Sequence, residues 1–319
     1  GNLLRRVTRP LGGSFDVEYV RVGNTVEMPE SRHVLAKVTV HDGVGTGTGH
    51  DLVSRYEYAG GVYHRNEREF LGFRAVTQRN ADESKVVRTF RTDGFPFKGL
   101  LEDEAILDAM DRKYVETHNE WTAEVRALAV EACTKRTPIN LRYPNDLYCA
   151  STFVKLDSTE KRFFEGGPQA LVRSKQSFDA YDGHGNVTRF HDWGDVADPT
   201  DDVYAKVAYG PAEGEDYHCV AAPIEMTVGD GPGDATDPLR KRSASYDARC
   251  NLTQLRALVS AGVEAVSDLE WYREGHVWAG NLLKVKSPLN NRNERYEVTY
   301  EYDGDVATYV TKTLDVHGY

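Results

Sequence analysis

The sequence predicts an all-β protein built as a large, curved antiparallel sheet of hairpins. Tyrosine dominates the aromatic residues, with 18 Tyr against 11 Phe and 4 Trp, and tyrosine favours half-buried pleated surfaces. Several segments alternate apolar and polar residues, which is the period-2 pattern of strands with one wet face. Turn-forming Gly and Asp residues separate these segments, and no stretch has the spacing of βαβ units.

The clearest alternating segments are residues 15–19, 55–58 and 296–302. Between the strands we expect turns in which Gly supplies a positive φ and Asp bonds its own backbone. These turns are Asp42-Gly43, residues 59–61, Asp93-Gly94, Asp182-Gly183, residues 229–231 and Asp303-Gly304.

Three segments have a composition that favours helix: residues 102–113, 122–132 and 251–266. Intrinsic propensity is a weak signal that strand pairing overrides in a mostly β chain. We therefore expect strands at these positions.

Composition excludes several classes of function. The chain has 319 residues and a net charge of −11, so it repels phosphate backbones and anionic lipid, and we expect no nucleic-acid partner. No run of about 18 apolar residues occurs, which argues against membrane insertion by this segment. No signal peptide is visible at the start. We expect Cys133, Cys149, Cys219 and Cys250 to be reduced structural thiols, because they form no C-x-x-C pair.

A tyrosine-aspartate signature recurs along the second half of the chain. It reads Tyr181-Asp182-Gly183-His184-Gly185-Asn186-Val187-Thr188, then Tyr246-Asp247-Ala248-Arg249-Cys250-Asn251-Leu252-Thr253, and more weakly Tyr302-Asp303-Gly304-Asp305. We interpret Tyr as the end of a strand, Asp as the start of a turn, and Gly or Asn as the left-handed position. Repeats of this kind build sheets in which each hairpin packs against its neighbours.

At these residues the sequence resembles the tyrosine-aspartate repeat, or Rhs, family of bacterial proteins. The first half is similar to a narrower group, the shell-forming region of the B subunit of insecticidal Tc (ABC-type) toxin complexes. The most specific stretch is the signature Glu67-Arg68-Glu69-Phe70-Leu71-Gly72-Phe73, which follows a Gly-Gly hairpin at residues 59–61.

The resemblance implies that the repeats are part of a hollow β-shell that encloses a C-terminal toxic segment for delivery. Residues 1–125 correspond to a Tc-toxin-B-like middle region and residues 126–319 to a segment of YD/Rhs repeats. The implied partners are the rest of the shell, its enclosed toxin segment and other toxin-complex subunits. The implied location is extracellular, after bacterial export.

The chain also departs from the family pattern. It stops at Tyr319, before the core that plugs the shell and carries an aspartate self-cleavage site. Asp198-Pro199 and Asp237-Pro238 lack the residues that follow Asp-Pro in that site, so we interpret both as turns. Asp305-Val306 stands where the third repeat should have Gly-Asn, which puts that turn in doubt.

Other candidate chemistry is weak. The glycine-rich residues 41–50 fit neither the dinucleotide fingerprint nor the P-loop, and we expect a hairpin loop. His41-Asp42, His64, His184 and His191-Asp192 lack the short paired spacing of zinc ligands. Asn186 and Asn251 start formal glycosylation sequons that coincide with repeat turns.

Carboxylates are frequent, and all-β glycosidases use paired acids. The relevant residues are Glu67, Glu69, Asp195, Asp198, Asp201 and Asp202. Because no pattern constrains their spacing, we expect no catalytic residue, no metal, no cofactor and no enzyme activity. The alternatives to a shell segment are a surface adhesion or carbohydrate-binding β module and, third, a β-rich glycoside hydrolase.

Overall fold

The computed structural model describes residues 3–44, 51–66, 68–125, 152–210, 219–231 and 238–318. These residues form 19 β-strands and one short 3-10 helix, Phe95–Phe97. No helix in the described part is long and apolar enough to cross a membrane. The prediction of an all-β antiparallel fold is confirmed. The chain divides into two compact units, residues 1–177 with 194–198, and residues 178–193 with 199–319.

Unit 1 contains nine complete strands and residues 172–177 of a tenth, each strand antiparallel to the next. They are β1 (Arg6–Thr8), β2 (Ser14–Val22), β3 (Arg32–His41), β4 (Leu52–His64), β5 (Glu69–Arg79), β6 (Lys85–Phe90), β7 (Leu101–Leu107), β8 (Lys113–Val125), β9 (Thr152–Phe163) and β10 (Val172–Tyr181).

Unit 2 begins with the end of β10 and continues as a second antiparallel series, in which each strand from β11 onward pairs with the next. Its strands are β11 (Val187–Asp195), β12 (Val203–Tyr209), β13 (Pro223–Gly229), β14 (Arg240–Tyr246), β15 (Leu252–Ser260), β16 (Val263–Trp271), β17 (Leu282–Leu289), β18 (Arg295–Tyr302) and β19 (Val310–Leu314).

The described residues of the helix-favouring segments form strands and turns and no helix. Residues 102–107 belong to β7 and 113 begins β8, with a turn between them, and residues 252–260 form β15 and 263–266 start β16, again with a turn between them. Residues 122–125 end β8, while 126–132 lie outside the described residues. Cross-strand partners such as Ile106 and Val115 supply pairing that a helix would lose.

Neither unit has a thick hydrophobic core. In the described part of the chain, the buried apolar side chains are Met28 and Leu71 in unit 1 and Ala205 and Val207 in unit 2. Most strand residues keep partial contact with solvent instead. The sheets are therefore held by their backbone ladders and by cross-strand side-chain pairs more than by burial.

Some of the predicted glycine turns are wrong. Residues 59–61 do not form a hairpin, because β4 continues through them to His64 and pairs with β5 both before and after Gly60. Gly60 has φ 64° there and interrupts the ladder as an irregularity inside the strand. Gly183, Gly231 and Gly304 do not have positive φ, whereas Gly43 and Gly94 do, as predicted.

Candidate functional site: repeat turns and sheet faces

The first repeat turn joins β10 to β11 and is built around the side chain of Asp182. Its Oδ1 atom accepts hydrogen bonds from the backbone N–H groups of His184 and Asn186, at 2.8 and 2.9 Å. Its Oδ2 atom accepts from the Asn186 side chain at 2.9 Å. The backbone closes with Asp182 N to Asn186 O at 2.9 Å. Gly185 is left-handed with φ 95°, as predicted.

The second repeat turn, between β14 and β15, has the same geometry. Asp247 Oδ1 accepts from the N–H groups of Arg249 and Asn251, both at 2.9 Å, and Oδ2 accepts from the Asn251 side chain at 3.0 Å. Cys250 occupies the left-handed position with φ 65°. The amide nitrogens of both sequon asparagines are thus already committed to their turns.

The hydrogen bonds lower the pKa of both turn aspartates. Burial opposes ionisation of Asp182, but bonds from the Asn186 side chain and from the backbone outweigh it and hold the pKa of that carboxyl below its usual value. The same balance, with Asn251 as the partner, lowers the pKa of Asp247. Each aspartate is therefore a charged acceptor that organises its turn.

The third repeat has a different and longer turn. Asp303 N bonds Tyr309 O at 2.9 Å, so the turn closes over residues 303–309. Five backbone N–H groups, those of residues 305–309, donate to the two carboxylate oxygens. Bonds from Val306 and Tyr309 hold the pKa of Asp303 far below its usual value. Ala307, rather than Gly304, is left-handed, with φ 54°.

Three turns with the short geometry were missed from the sequence. They begin at Asn80, Asp108 and Asn290, and in each the first residue's N–H bonds the carbonyl four residues on, at 2.9–3.0 Å. Their left-handed residues are Glu83, Asp111 and Asn293. The signal that would have found them is Asn or Asp as the first residue after a strand, with no requirement for tyrosine or glycine.

The repeat tyrosines have a separate role. The side chain at the end of a strand donates to the carbonyl of the first residue of the preceding strand: Tyr246 to Pro223 at 3.1 Å, and Tyr302 to Leu282 at 3.0 Å. Tyr209 and Trp271 make the equivalent bonds to Val187 and Leu252, and Trp121, inside β8 of unit 1, donates to the carbonyl of Leu101. These aromatic side chains fix the hairpin ends and have their polar atoms occupied.

The family signature forms an apolar cluster in unit 1. Leu71 is only 1% exposed, and the Phe73 ring lies 4.9 Å from Tyr58 and 5.3 Å from Phe70. The Arg32 guanidinium lies 4.6 Å from the centre of the Phe70 ring. Glu69 forms an ion pair with Lys98.

Two glycines near this cluster occupy positions that a side chain would not suit. A Cβ atom on Gly61 would lie 2.7 Å from the Met28 sulfur, and Gly72 has φ 111°. Arg68 turns the chain between β4 and β5 with φ 53°. Glu67 lies outside the described residues.

The sheet of unit 2 has one face on which most of the charged strand residues lie, here called the charged face. Ion pairs run across it: Lys241 with Glu225 at 2.8 Å, Lys286 with Glu270 at 2.8 Å, and Lys284 with Glu297 at 3.1 Å. Arg295 pairs with Asp268 and also donates to the carbonyls of Val266, Lys286 and Ser287.

The opposite face of unit 2 is here called the apolar face. The register places aliphatic and aromatic residues opposite one another across successive strands, with Asp192, Arg240 and Arg242 as charged exceptions. Its members are Phe190, Ala205, Val207, Met226, Val228, Ala244, Leu255, Ala257, Ala265, Leu269, Val285 and Val298. Few of these side chains are buried, so the face lacks a cover among the described residues of unit 2.

Two of the predicted histidines pair with carboxylates. His191 is 5% exposed, stacks on Tyr204 at 3.9 Å, and places Nε2 3.1 Å from Asp202 Oδ2. His41 Nε2 and Nδ1 lie 3.0 and 2.6 Å from carboxylates of Asp16 and Asp51, and these hydrogen bonds raise the pKa of His41.

No arrangement of metal ligands emerges around the candidate residues. The described ranges hold no group of three His, Cys, Asp or Glu residues placed to bind a metal ion. Asp195 accepts from Ala197 N at 3.0 Å, as a turn residue does, and Asp198 N bonds Asp195 O. Asp237 lies outside the described residues. The absence of an enzyme, a metal and a cofactor stays a prediction.

One sequence-based expectation about cysteine is wrong. Cys219 and Cys250 form a disulfide with Cα atoms 5.8 Å apart, within the usual range for such bonds. The turn at Asp247 brings Cys250 to the segment that precedes β13, a proximity that spacing along the sequence does not reveal. Cys133 and Cys149 lie outside the described residues.

Comparisons with known proteins confirm the resemblance. Residues 1–98 match the family model described as the insecticide toxin TcdB middle/N-terminal region. No curated protein matches.

Solved structures match over nearly the whole chain. A TcdB2–TccC3 crystal structure without its hypervariable C-terminal region is similar over 98% of this chain, with a TM-score of 0.64 and 10% identity. The Photorhabdus luminescens Tc holotoxin pore is similar over 99%, with a TM-score of 0.63 and 10% identity. This chain spans 22% of the length of each of those two solved chains.

Proposed function

We propose that the chain is a wall segment of a toxin-encapsulating shell of the Tc-toxin B-subunit type, which encloses a toxic C-terminal payload for delivery outside the bacterium. The observation that carries this proposal is the two-faced sheet of unit 2. A wall needs one face that tolerates water and one that contacts what it encloses. The charged face suits the first role, and the apolar face suits the second.

The ion pairs support an outward charged face. Side chains such as Lys286 and Glu270 are partly solvated, at 30% and 45% exposure. Such pairs contribute little to stability, about 0–1 kcal/mol each. Their main effect is to keep that face soluble and to oppose sheet stacking on it. The apolar face has no such protection, and a contiguous patch of this kind marks a contact surface.

The hydrogen-bonded hairpin ends support a structural role over a carbohydrate-binding role. Aromatic side chains that bind sugars present free faces and polar tips, whereas Tyr246, Tyr302 and Trp271 use their polar atoms to bind backbone carbonyls. The implied partners are the rest of the shell, the enclosed segment and other toxin-complex subunits. We propose no enzyme activity for this segment.

Neighbouring residues on β17 provide the test. Lys284 lies on the charged face and Val285 on the apolar face. In the full natural protein, Lys284→Cys and Val285→Cys are each reacted with a maleimide attached to a long polyethylene glycol chain. We expect rapid labelling at position 284, and labelling at position 285 only after the protein is unfolded with urea. Labelling at equal rates in the native protein would overturn the encapsulation proposal.

A matched control separates a closed wall from a poorly reactive position. The same two variants are prepared in the 319-residue chain alone, without the rest of the proposed shell. Here we expect Val285→Cys to react, because nearby strand residues keep partial contact with solvent. If position 285 is equally unreactive in the isolated chain, the protection does not come from a shell, and that result also counts against the proposal.

A further inference from the structure

The Cys219–Cys250 disulfide of unit 2 joins the second repeat turn to the segment that leads into β13. Cys250 is the left-handed residue of the second repeat turn. Cys219 begins the described segment 219–222, which leads into β13. The cross-link therefore fastens that segment to the turn.

Among the described residues, segment 219–222 makes few other hydrogen bonds. Asn186 of the first repeat turn donates to Val220 O at 2.6 Å, and Gly210 N donates to Ala222 O at 2.8 Å. Tyr246 donates to the next residue, Pro223, at 3.1 Å. Without the disulfide, the segment's attachments within the described part of unit 2 are these hydrogen bonds, and a segment held in this way opens locally at low free-energy cost.

The second repeat turn does not depend on the disulfide for its shape. Asp247 accepts from Arg249 N, Asn251 N and the Asn251 side chain, and Cys250 N bonds Asp247 O at 3.0 Å. None of these bonds involves the sulfur atom. Breaking the cross-link therefore frees segment 219–222 and leaves the turn intact.

Cys219 and Cys250 are each half-buried, and neither is enclosed in a core. A partly exposed disulfide is more easily reached by an attacking thiolate than a structural disulfide in a core. Because the disulfide lies beside a surface turn, it can undergo thiol–disulfide exchange while the sheet remains folded.

We propose that Cys219–Cys250 is a reducible latch, a site of thiol–disulfide exchange that takes a small thiol such as glutathione. Two thiols of the reductant become one disulfide, and the protein disulfide becomes two thiols, so two electrons and two protons pass to the protein. The latch is closed in an oxidising medium outside cells and opens in a reducing interior. This inference does not depend on which face of the sheet encloses a payload.

The test uses the full chain in buffers of graded glutathione to glutathione-disulfide ratio. Free thiols are trapped with iodoacetamide and assigned by peptide mass, and backbone amide exchange is followed in parallel. In oxidising buffer, we expect Cys219 and Cys250 to be unmodified and linked. In reducing buffer, we expect both to be alkylated, with exchange of the Gly210 amide about tenfold or more faster and the Asn251 amide unchanged.

Two variants serve as controls. Cys250→Gly keeps a residue suited to the left-handed position, and Cys219→Ser keeps the turn cysteine. In both, we expect fast Gly210 exchange in either buffer, matching the reduced natural chain. The proposal is overturned if both cysteines are alkylated in oxidising buffer, if either pairs with Cys133 or Cys149, or if the bond survives the most reducing buffer. Unchanged Gly210 exchange on reduction also overturns it.

Discussion

The repeat turns at Asp182 and Asp247 share one backbone but hold their left-handed residue differently. In the first turn, Gly185 adopts φ 95°, where a residue without a side chain meets no penalty. In the second, Cys250 adopts φ 65° and its side chain is cross-linked to Cys219. A non-glycine residue in this region costs about 1–2 kcal/mol, which the cross-link offsets.

This difference shows which part of the signature is essential to the turn. Aspartate in first position and asparagine in fifth make the same hydrogen bonds in both turns. The fourth position tolerates glycine, cysteine and, in the related turns, Glu83, Asp111 or Asn293. In these two repeat turns the side-chain frame is the same, and the left-handed residue is adjustable.

The largest effect should follow from removing the cross-link of the second turn. Cys219→Ser abolishes a bond that closes a separation of 31 residues, and we expect a loss of about 2–4 kcal/mol in the free energy of unfolding. Thermal melting in oxidising buffer measures it. The reduced natural chain should have the same melting temperature as the variant. If the variant instead has the melting temperature of the oxidised natural chain, the cross-link does not stabilise unit 2.

The next effect concerns the first turn, which has no cross-link. Gly185→Val places a β-branched residue at φ 95°, and we expect destabilisation by about 1–3 kcal/mol from backbone strain. The matched control is Gly183→Val in the same turn, because Gly183 is not left-handed and its added Cβ meets no atom within 4 Å. Equal melting temperatures for the two variants would contradict this assignment.

The sequence predicted the two turns well because each depends on residues close together in the chain. Tyr181, Tyr246 and Tyr302 end strands as expected, and Gly185 is left-handed. Asn80, Asp108 and Asn290 were missed because the pattern required Tyr before the turn and Gly or Asn at the left-handed position. The first side chain accepts from the turn backbone at Asp108 and Asn290, whereas Asp82 is the acceptor in the Asn80 turn. Local chemistry was thus visible, but the pattern was drawn too narrowly.

Features that depend on distant pairing were not visible. The Cys219–Cys250 bond needs β13 and β14 to bring its ends together, and spacing alone does not show this. Residues 59–61 were predicted to turn because two glycines usually break a strand. They stay in β4 because Ala59 and Gly61 both pair with β5, and the absence of a side chain at Gly61 leaves room for Met28. The predicted boundary between residues 125 and 126 stays a prediction.

Removing the aspartate frame should have a smaller effect than straining the left-handed residue. Asp182→Ala deletes the acceptor of three hydrogen bonds in a solvent-accessible turn, and we expect a loss of about 1 kcal/mol. Asp247→Ala should cost less in oxidising buffer, since the cross-link to Cys219 still restrains the chain at Cys250 after the aspartate hydrogen bonds are lost. Chemical denaturation of both variants measures the two losses of stability. After reduction of the disulfide, we expect the two losses to be nearly equal.

Replacing the cysteine with the residue that the repeat expects should sharpen the comparison. In reducing buffer neither chain has the cross-link, and Cys250→Gly relieves the left-handed strain. We therefore expect its free energy of unfolding to exceed that of the natural chain by about 1 kcal/mol, with a higher melting temperature. In oxidising buffer the order reverses, because the natural chain keeps its bond. If Cys250→Gly melts lower in both buffers, cysteine has no conformational cost at φ 65°.

The smallest effect is a difference in acid sensitivity between the short turns and the long turn. Folding lowers the pKa of Asp182 and Asp247, so their stabilisation is complete above the unfolded value, near 4, and is lost as pH falls through the folded value. Bonds from Val306, Tyr309 and their neighbours lower the pKa of Asp303 further, so its turn should persist to more acidic pH. Amide exchange measured from pH 5 downward tests this order: the Asn186 and Asn251 amides should lose protection before the Tyr309 amide.

Asp303→Asn removes the charge but keeps one acceptor oxygen, and in that variant the Tyr309 amide should lose this pH dependence. Simultaneous loss at all three turns would show that global acid unfolding, rather than the separate carboxylates, sets the acid limit.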